Sequence, residues 1–262
     1  MYAVDHGLVP PPQRGAEDGS AVVVRLLNSN TNKTVEATVG IGSDGLALVG
    51  GSFVNPGVAG SGSPIELDFL EPSGALTGRM LPGPGGEARH VLRARTADGV
   101  AEVEASLVDV TTATVIISEA TAERLGFSLE DPAPPAVLER LEAVRRAGAE
   151  LMGLDPDTPS VPKVGVVGAP AGDGHDVRAR FLSMGQPHLA LPLTAAMCLA
   201  AAARVSGSVA AEAAGPLDGA AEVRLAHPSG VIAVRAQVEG ELCVRAGVTR
   251  TARCLMQGSV FY

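Results

Sequence analysis

A run of small apolar residues in the second half of the chain constrains its fold more than any other feature. Residues 195–203 read AAMCLAAAA, so the helix that they predict carries little bulk on any side. A helix that is apolar all round is buried, and we expect this one to lie inside a curved sheet. The turn-like segment SMGQPH at 183–188 precedes it, and Thr194 is predicted to be its N-cap.

The beginning of this predicted helix is a candidate anion-binding site. Unpaired amides and the positive end of the helix dipole attract a carboxylate at a helix N-terminus. The same pattern is also typical of an ordinary buried helix with a plain cap. The segment by itself therefore leaves a binding role and a purely structural role open.

The composition indicates a strand-rich globular chain. Of the 262 residues, 46% are hydrophobic but only 3% are aromatic, so the core must be built mainly from Val, Leu, Ile and Ala. The 32 Gly and 19 Pro residues indicate many turns. Because strands and helices do not alternate regularly, a doubly wound parallel sheet is not expected. We predict a mixed, mostly antiparallel α+β fold.

Alternating and apolar runs place the strands, and helical spacing places two further helices. The predicted strands are 21–27, 34–40, 46–49, 65–69, 100–109, 114–117, 161–167, 177–182, 221–225, 231–238 and 242–250. The predicted helices are 119–125 and 136–152, and residues 247–262 are expected to contain a closing strand or two.

Charge and cysteine content exclude several classes of function. The formal net charge is −9 and basic residues are not grouped with aromatic ones, so a nucleic-acid partner is not expected. Cys198, Cys243 and Cys254 match no zinc or redox spacing, so no metal site is expected from them. No apolar run reaches the roughly 18 residues of a membrane span, and no secretory leader is visible. We therefore expect a cytoplasmic protein.

Five sequence segments occur in the same order along nearly the whole chain as in one known family. They are SPIELDFLEPSGALTGRMLP at 63–82, VEASLVDVTTATVII at 103–117, SMGQPHLALPLTAAMCLAAAA at 183–203, HPSG at 227–230 and RTARCLMQG at 250–258. They resemble the PrpF family, which includes 2-methylaconitate cis-trans isomerases, 4-oxalomesaconate tautomerases and methylitaconate isomerases. The resemblance implies a diaminopimelate-epimerase-like fold of two similar domains, each a curved mixed sheet wrapped round a central helix. It predicts a remainder of the first domain at 1–112 and the second domain at 113–262.

The resemblance also implies a cofactor-independent isomerase of unsaturated di- or tricarboxylic acids. In that reaction a base removes a proton next to a carbonyl or vinylogous carboxylate, and an acid returns a proton at another carbon. The family's catalytic Lys and its Ser-Gly-Asn-Cys-Gly type motif are not matched, and YAVDHGLVP at 2–10 resembles the segment that follows that motif. We therefore expect the chain to begin in the middle of its first domain. The alternative function is a catalytically incomplete member, or a fragment that binds carboxylates without converting them.

The matched motifs imply substrate-binding residues but no assigned catalytic residue. The implied residues are Ser183, Met184, Gly185, His188, Thr194 and Asn32. His188 has the alternative role of fixing its own turn, and Asn32 that of lying in an exposed hairpin loop. Arg250 and Arg253 are either carboxylate clamps or members of surface ion pairs. The expected partners are a small unsaturated polycarboxylate and a second copy of the chain, with neither nucleic acid nor a membrane.

Overall fold

The computed structural model describes residues 1–9, 20–217 and 219–259. Helices within these ranges are short except for the third. They are α1 (Tyr2–Asp5), α2 (Glu119–Arg124), α3 (Pro135–Met152), α4 (Leu193–Ala202) and α5 (Val209–Ala214), with a 3-10 turn at Pro84–Gly86. The strands are β1 (Ala21–Asn28), β2 (Lys33–Gly40), β3 (Ile65–Leu70), β4 (His90–Thr96), β5 (Gly99–Val110), β6 (Thr112–Ser118), β7 (Lys163–Gly168), β8 (Val177–Ser183), β9 (Gln186–Pro187), β10 (Glu222–His227), β11 (Gly230–Glu239) and β12 (Leu242–Arg250).

The strands form one continuous, mostly antiparallel sheet. Their order is β1-β2-β3-β12-β11-β10-β8-β7-β6-β5-β4, and β9 pairs with β8. Only the β6–β7 and β8–β10 pairs are parallel. This architecture confirms the predicted α+β fold. The predicted boundary at residues 112 and 113 falls where β5 turns into β6, and the sheet runs through it without a break.

The sheet curves round α4, as the small side chains of that helix predict. Each residue of 195–202 is 0% exposed, and α4 contacts β5, β6, β10, β11 and β12. The other face of β5 to β8 packs against α3, so alternate residues of these strands belong to two separate cores. On β8, for example, Phe181 packs with α4 while Leu182 packs with α3.

The curvature is completed where the segment after β3 meets the end of β5. Thr111 donates its amide hydrogen to the carbonyl of Pro72, and Gly74 donates to the carbonyl of Asp109. The Asp109 carboxylate is fully buried and accepts hydrogen bonds from the amides of Leu76 (2.8 Å) and Thr77 (2.7 Å). The strands and this segment therefore enclose α4 on most sides.

Several local predictions need correction. Thr194 is not the N-cap, because α4 begins at Leu193 with Pro192 in the cap position and no side-chain cap. Residues 46–49 are not a strand, and only an isolated bridge joins Ile41 to Ala47. Residues 251–259 have no regular structure, so the closing strand ends at Arg250, and 260–262 lie outside the described residues. Four elements were not predicted: β4, in which arginines alternate with apolar residues, and the short α1, β9 and α5.

Candidate active site

Polar side chains line the end of the curved sheet at which α4 begins. Each lies an even number of residues from a side chain of the α4 core on its own strand, and therefore shares its face. Examples are Lys163 with Val167 on β7 and Ser183 with Phe181 on β8. We call this set the rim: Thr112 of β6, Lys163 of β7, Ser183 of β8, His227 of β10 and Arg250 of β12.

Hydrogen bonds join the rim to the segment that opens α4. The hydroxyl of Thr111, next to Thr112, donates to the carbonyl of Thr194 at 2.7 Å. The hydroxyl of Ser229, two residues after His227, donates to the carbonyl of Leu189 at 2.7 Å. No side chain caps the first turn of α4, and the Ala196 amide donates to the carbonyl of Pro192 at 2.9 Å.

Lys163 is a half-buried cation on the rim. Its ammonium donates a 3.0 Å hydrogen bond to the Ser183 hydroxyl. No carboxylate of the described residues forms an ion pair with it, and burial lowers the pKa of its side chain. This residue was not among the sequence candidates. The sequence did offer a signal, because Lys163 lies two and four residues from Gly165 and Val167 on the same strand. Both of those residues face the buried side of the sheet.

Two histidines, His227 of the rim and His188 of the segment before α4, lie near each other. Burial lowers the pKa of His227, and the charges of Arg250 and His188 lower it further. The Ser229 amide donates to His227 Nδ1 at 3.1 Å, so the neutral ring carries its proton on Nε2. His188 Nδ1 lies 2.7 Å from the carbonyl oxygen of Ala190, which is the local contact expected if this ring fixes its own turn.

The remaining sequence candidates divide into two groups. Met184 and Gly185 form the β8–β9 turn with φ values of 53° and 72°, and Met184 is 66% exposed beside Ser183. Asn32 lies instead at the tip of the β1–β2 hairpin with a φ of 52°. Hydrogen bonds link that hairpin to residues 71 and 73 through Lys33, and not to β8, β9 or α4. The structure therefore places Ser183, Met184 and Gly185 together in one strand end and turn, bonds His188 to the neighbouring Phe181 and leaves Asn32 apart.

A loop over the rim carries one residue that the sequence analysis missed. Asn55 is 5% exposed and donates through Nδ2 to the Thr251 hydroxyl at 2.7 Å. Its Oδ1 atom is buried and has no hydrogen-bond partner in the described part of the chain. A Cβ on Gly57 would lie 3.3 Å from the Cβ of Ser229, so this loop packs closely on the turn after His227.

The cysteines do not supply a thiolate to the rim. Burial raises the pKa of Cys198 to about 12 and that of Cys243 to about 11, so both thiols are protonated at neutral pH. Cys254 is exposed on the segment after β12. Within the described ranges, no three His, Cys, Asp or Glu side chains are grouped as metal ligands would be. None of the described helices is long and apolar enough to span a membrane.

The curved sheet round α4 is an α+β fold that this chain shares with an isomerase and an epimerase of known structure. The crystal structure of a methylitaconate-delta-isomerase matches with a TM-score of 0.81 at 27% identity, covering 99% of this chain and 69% of that one. A hydroxyproline epimerase from Agrobacterium vitis shares the fold at 14% identity, with a TM-score of 0.50 over 95% of this chain and 60% of its own.

The chain belongs to the PrpF family. The family profile, described as "PrpF protein", matches residues 1–262. The 4-oxalomesaconate tautomerase of Pseudomonas putida (strain KT2440) is 31% identical, covering 99% of this chain and 68% of the relative. The (4E)-oxalomesaconate Delta-isomerase of Novosphingobium sp. (strain KA1) is 30% identical over 99% of this chain and 69% of its own length.

Proposed function

We propose that the rim binds an unsaturated di- or tricarboxylic acid and that the chain functions as a PrpF-type isomerase of such acids. The single observation that carries the proposal is a pair of half-buried cations, Lys163 and Arg250, that have no carboxylate partner among the described residues. Burial alone lowers the pKa of both side chains. A cation that is partly removed from water without a counter-ion carries a desolvation penalty, and the charge of a bound anion offsets that penalty.

A paired arginine outside the rim provides the contrast. Arg224 bonds to Asp176, with its Nη2 atom 2.6 Å from the carboxylate, and the pKa of its guanidinium is raised by that hydrogen bond. The chain carries a net charge of −9 and has carboxylates available for pairing. Neither Lys163 nor Arg250 has such a partner in the described part of the chain.

The reaction requires that negative charge on the substrate be absorbed as a proton leaves its carbon. In the proposed complex the rim cations hold carboxylate oxygens, and these oxygens gain charge when a dienolate forms. The proton on Nε2 of neutral His227 is a further hydrogen-bond donor to such an oxygen. The names of the relatives set the substrate class: 3-methylitaconate, 2-methylaconitate and 4-oxalomesaconate are all unsaturated acids of this type.

A second candidate function is the binding of such acids without conversion. The protonated state of the Cys198 and Cys243 thiols favours it, because neither acts as a base at neutral pH. The two candidates differ in proton exchange at the carbon next to the double bond. Incubation with 2-methylaconitate or 4-oxalomesaconate in D₂O, followed by proton NMR, detects that exchange.

The experiment combines this exchange assay with calorimetric binding of trans-aconitate, a stable unsaturated tricarboxylate. Binding together with deuterium incorporation supports the isomerase, and binding alone supports the second function. Absence of both contradicts the proposal. Arg250→Gln is expected to weaken trans-aconitate binding about tenfold or more, since a charge-assisted hydrogen bond is lost. Arg224→Gln, outside the rim, is the matched control and is expected to bind as the parent chain does.

Three further expectations belong with this proposal: domains at 1–112 and 113–262, a cytoplasmic location and a homodimer. The exposed apolar side chains of edge strand β1 support self-association, since Val23 is 53% and Leu27 66% exposed. Sedimentation velocity of the parent chain and of a Val23→Lys/Leu27→Lys variant tests the dimer. A parent chain that sediments as a monomer at all concentrations contradicts it.

A further inference from the structure

The rim contains a lysine where nearly every other cation of the chain is an arginine. Of the 20 basic residues, only Lys33 and Lys163 are lysines. Lys33 donates to the backbone carbonyls of Glu71 and Ser73 at 2.7 and 3.1 Å, which is a structural role between two loops. Lys163 has one described hydrogen bond, to the Ser183 hydroxyl, and its remaining donors are available.

We propose that Lys163, positioned by Ser183, is a distinct carboxylate subsite of the rim and that it determines the affinity for the acidic ligand. The inference rests on the proposed function, because it assigns a carboxylate of the proposed ligand to one particular cation of the rim. Lys163 lies on β7 and Arg250 on β12, with β8, β10 and β11 between them in the sheet. Lys163 bonds to Ser183 at the end of β8, whereas the strands that lead to β12 meet β8 at Val177 and Arg178, so the two cations are separate subsites.

The geometry around Lys163 is that of a binding group and not of an internal ion pair. Thr112 and Ser183 share its face on the two neighbouring strands, and neither is charged. The helix that this face covers, α4, has no charged residue. Glu142 and Arg145 of α3 lie on the opposite side of the sheet and pair with each other at 2.7 Å. The Ser183 hydroxyl accepts a hydrogen bond from the Lys163 ammonium. It therefore orients the lysine side chain without neutralising its charge.

The subsite makes ligand affinity depend on pH. Because burial lowers the pKa of Lys163, its ammonium loses a proton at a lower pH than an exposed lysine does. A carboxylate binds the protonated form, so affinity falls as the pH rises through the pKa of Lys163. An arginine at this position stays charged throughout and removes the dependence.

The test is calorimetric binding of trans-aconitate between pH 7 and pH 10. Lys163→Gln is expected to weaken binding about tenfold to a hundredfold at pH 7. Lys163→Arg is expected to bind with little change between the two pH values, whereas the parent chain loses affinity. Ser183→Ala is expected to move the loss of affinity to lower pH, because the ammonium loses its acceptor. Lys33→Gln is the matched control and is expected to leave the profile unchanged.

The outcomes separate this inference from the proposed function. A parent chain that does not bind trans-aconitate contradicts the proposed function itself. A parent chain that binds, together with a Lys163→Gln variant that binds equally well, overturns the inference and leaves Arg250 as the carboxylate site. Reductive ¹³C-methylation of the parent chain supplies a readout that does not depend on variants. We expect the ligand to shift the dimethyl-Lys163 signal and not that of Lys33, and an unshifted Lys163 signal also overturns the inference.

Discussion

The hydroxyl of Thr111 donates a hydrogen bond of 2.7 Å to the carbonyl oxygen of Thr194, and this bond ties the β5–β6 turn to the first turn of α4. Thr111 has a φ of 60°, an unfavourable value for a β-branched residue. The connection therefore holds the rim and the beginning of the central helix in a fixed relation, at the cost of local backbone strain.

Replacing Thr111 by Val removes this hydrogen bond while keeping the shape and the branching at Cβ. We expect the free energy of unfolding to fall by about 0.5–1.5 kcal/mol, the net worth of one hydrogen bond. Thr111→Ser retains the hydroxyl and removes the branching, so we expect it to be at least as stable as the parent chain. Urea unfolding measures both variants, and equal stability of Val and Ser at this position would contradict the assignment.

Asp109 organises the segment that closes the sheet round α4. Its Oδ2 atom accepts bonds from the amides of Leu76 and Thr77 and from the Thr77 hydroxyl. Asp109→Ala leaves two amides without an acceptor, and we expect a loss of about 2–5 kcal/mol in unfolding free energy. Asp109→Asn keeps one acceptor oxygen and is expected to lose less. An alanine variant as stable as the parent chain in urea would rule out this role.

The three cysteines are expected to differ sharply in reactivity. Cys198 and Cys243 are buried with raised pKa values, about 12 and about 11, whereas Cys254 is exposed. Thiolate is the reactive species, so a disulfide reagent at pH 8 is expected to label one thiol quickly in the folded chain and three in denaturant. Cys254→Ser is expected to abolish the fast phase. Rapid labelling that persists in this variant would show that a second thiol is accessible.

His227 is expected to make stability depend on pH in the weakly acidic range. Burial, Arg250 and His188 lower its pKa in the folded state below the ordinary value of 6.5. As the pH falls through 6.5 the unfolded chain takes up the proton first, so the contribution of neutral His227 is present above pH 6.5 and is lost below it. His227→Gln is expected to lose less stability between pH 7 and pH 5 than the parent chain does. If urea unfolding shows the same loss of stability between pH 7 and pH 5 for the variant and the parent chain, the lowered pKa of His227 is contradicted.

Local patterns in the sequence predict the helices well and the assembly of the sheet poorly. The predicted helix at 136–152 is present as Pro135–Met152, because its apolar spacing is regular. The burial of α4 follows from the size of its side chains. The prediction of Thr194 as the N-cap was wrong, although Thr is a common residue at that position. Pro192 occupies the N-cap position instead, and its side chain has no atom that could accept a hydrogen bond from the helix.

The rim could not be predicted because it depends on pairings between distant segments. Val248 of β12 pairs with Val234 of β11, and Leu225 of β10 pairs with Val177 of β8, so three successive pairings separate β12 from β8 in the sheet. Lys163, His227 and Arg250 each end or begin an ordinary strand in the sequence. The family motif identified the segment around Ser183 directly, since that segment is contiguous, but it carried no information on Lys163.

The small side chains of α4 also limit the size of the opening at which the helix begins. Because five of the ten residues of that helix are alanine, the strands that contact it lie near its axis. The width available to an incoming molecule is therefore set by residues that never touch it. A chain with one larger side chain in this helix would admit a different range of carbon skeletons while keeping every polar contact at the entrance.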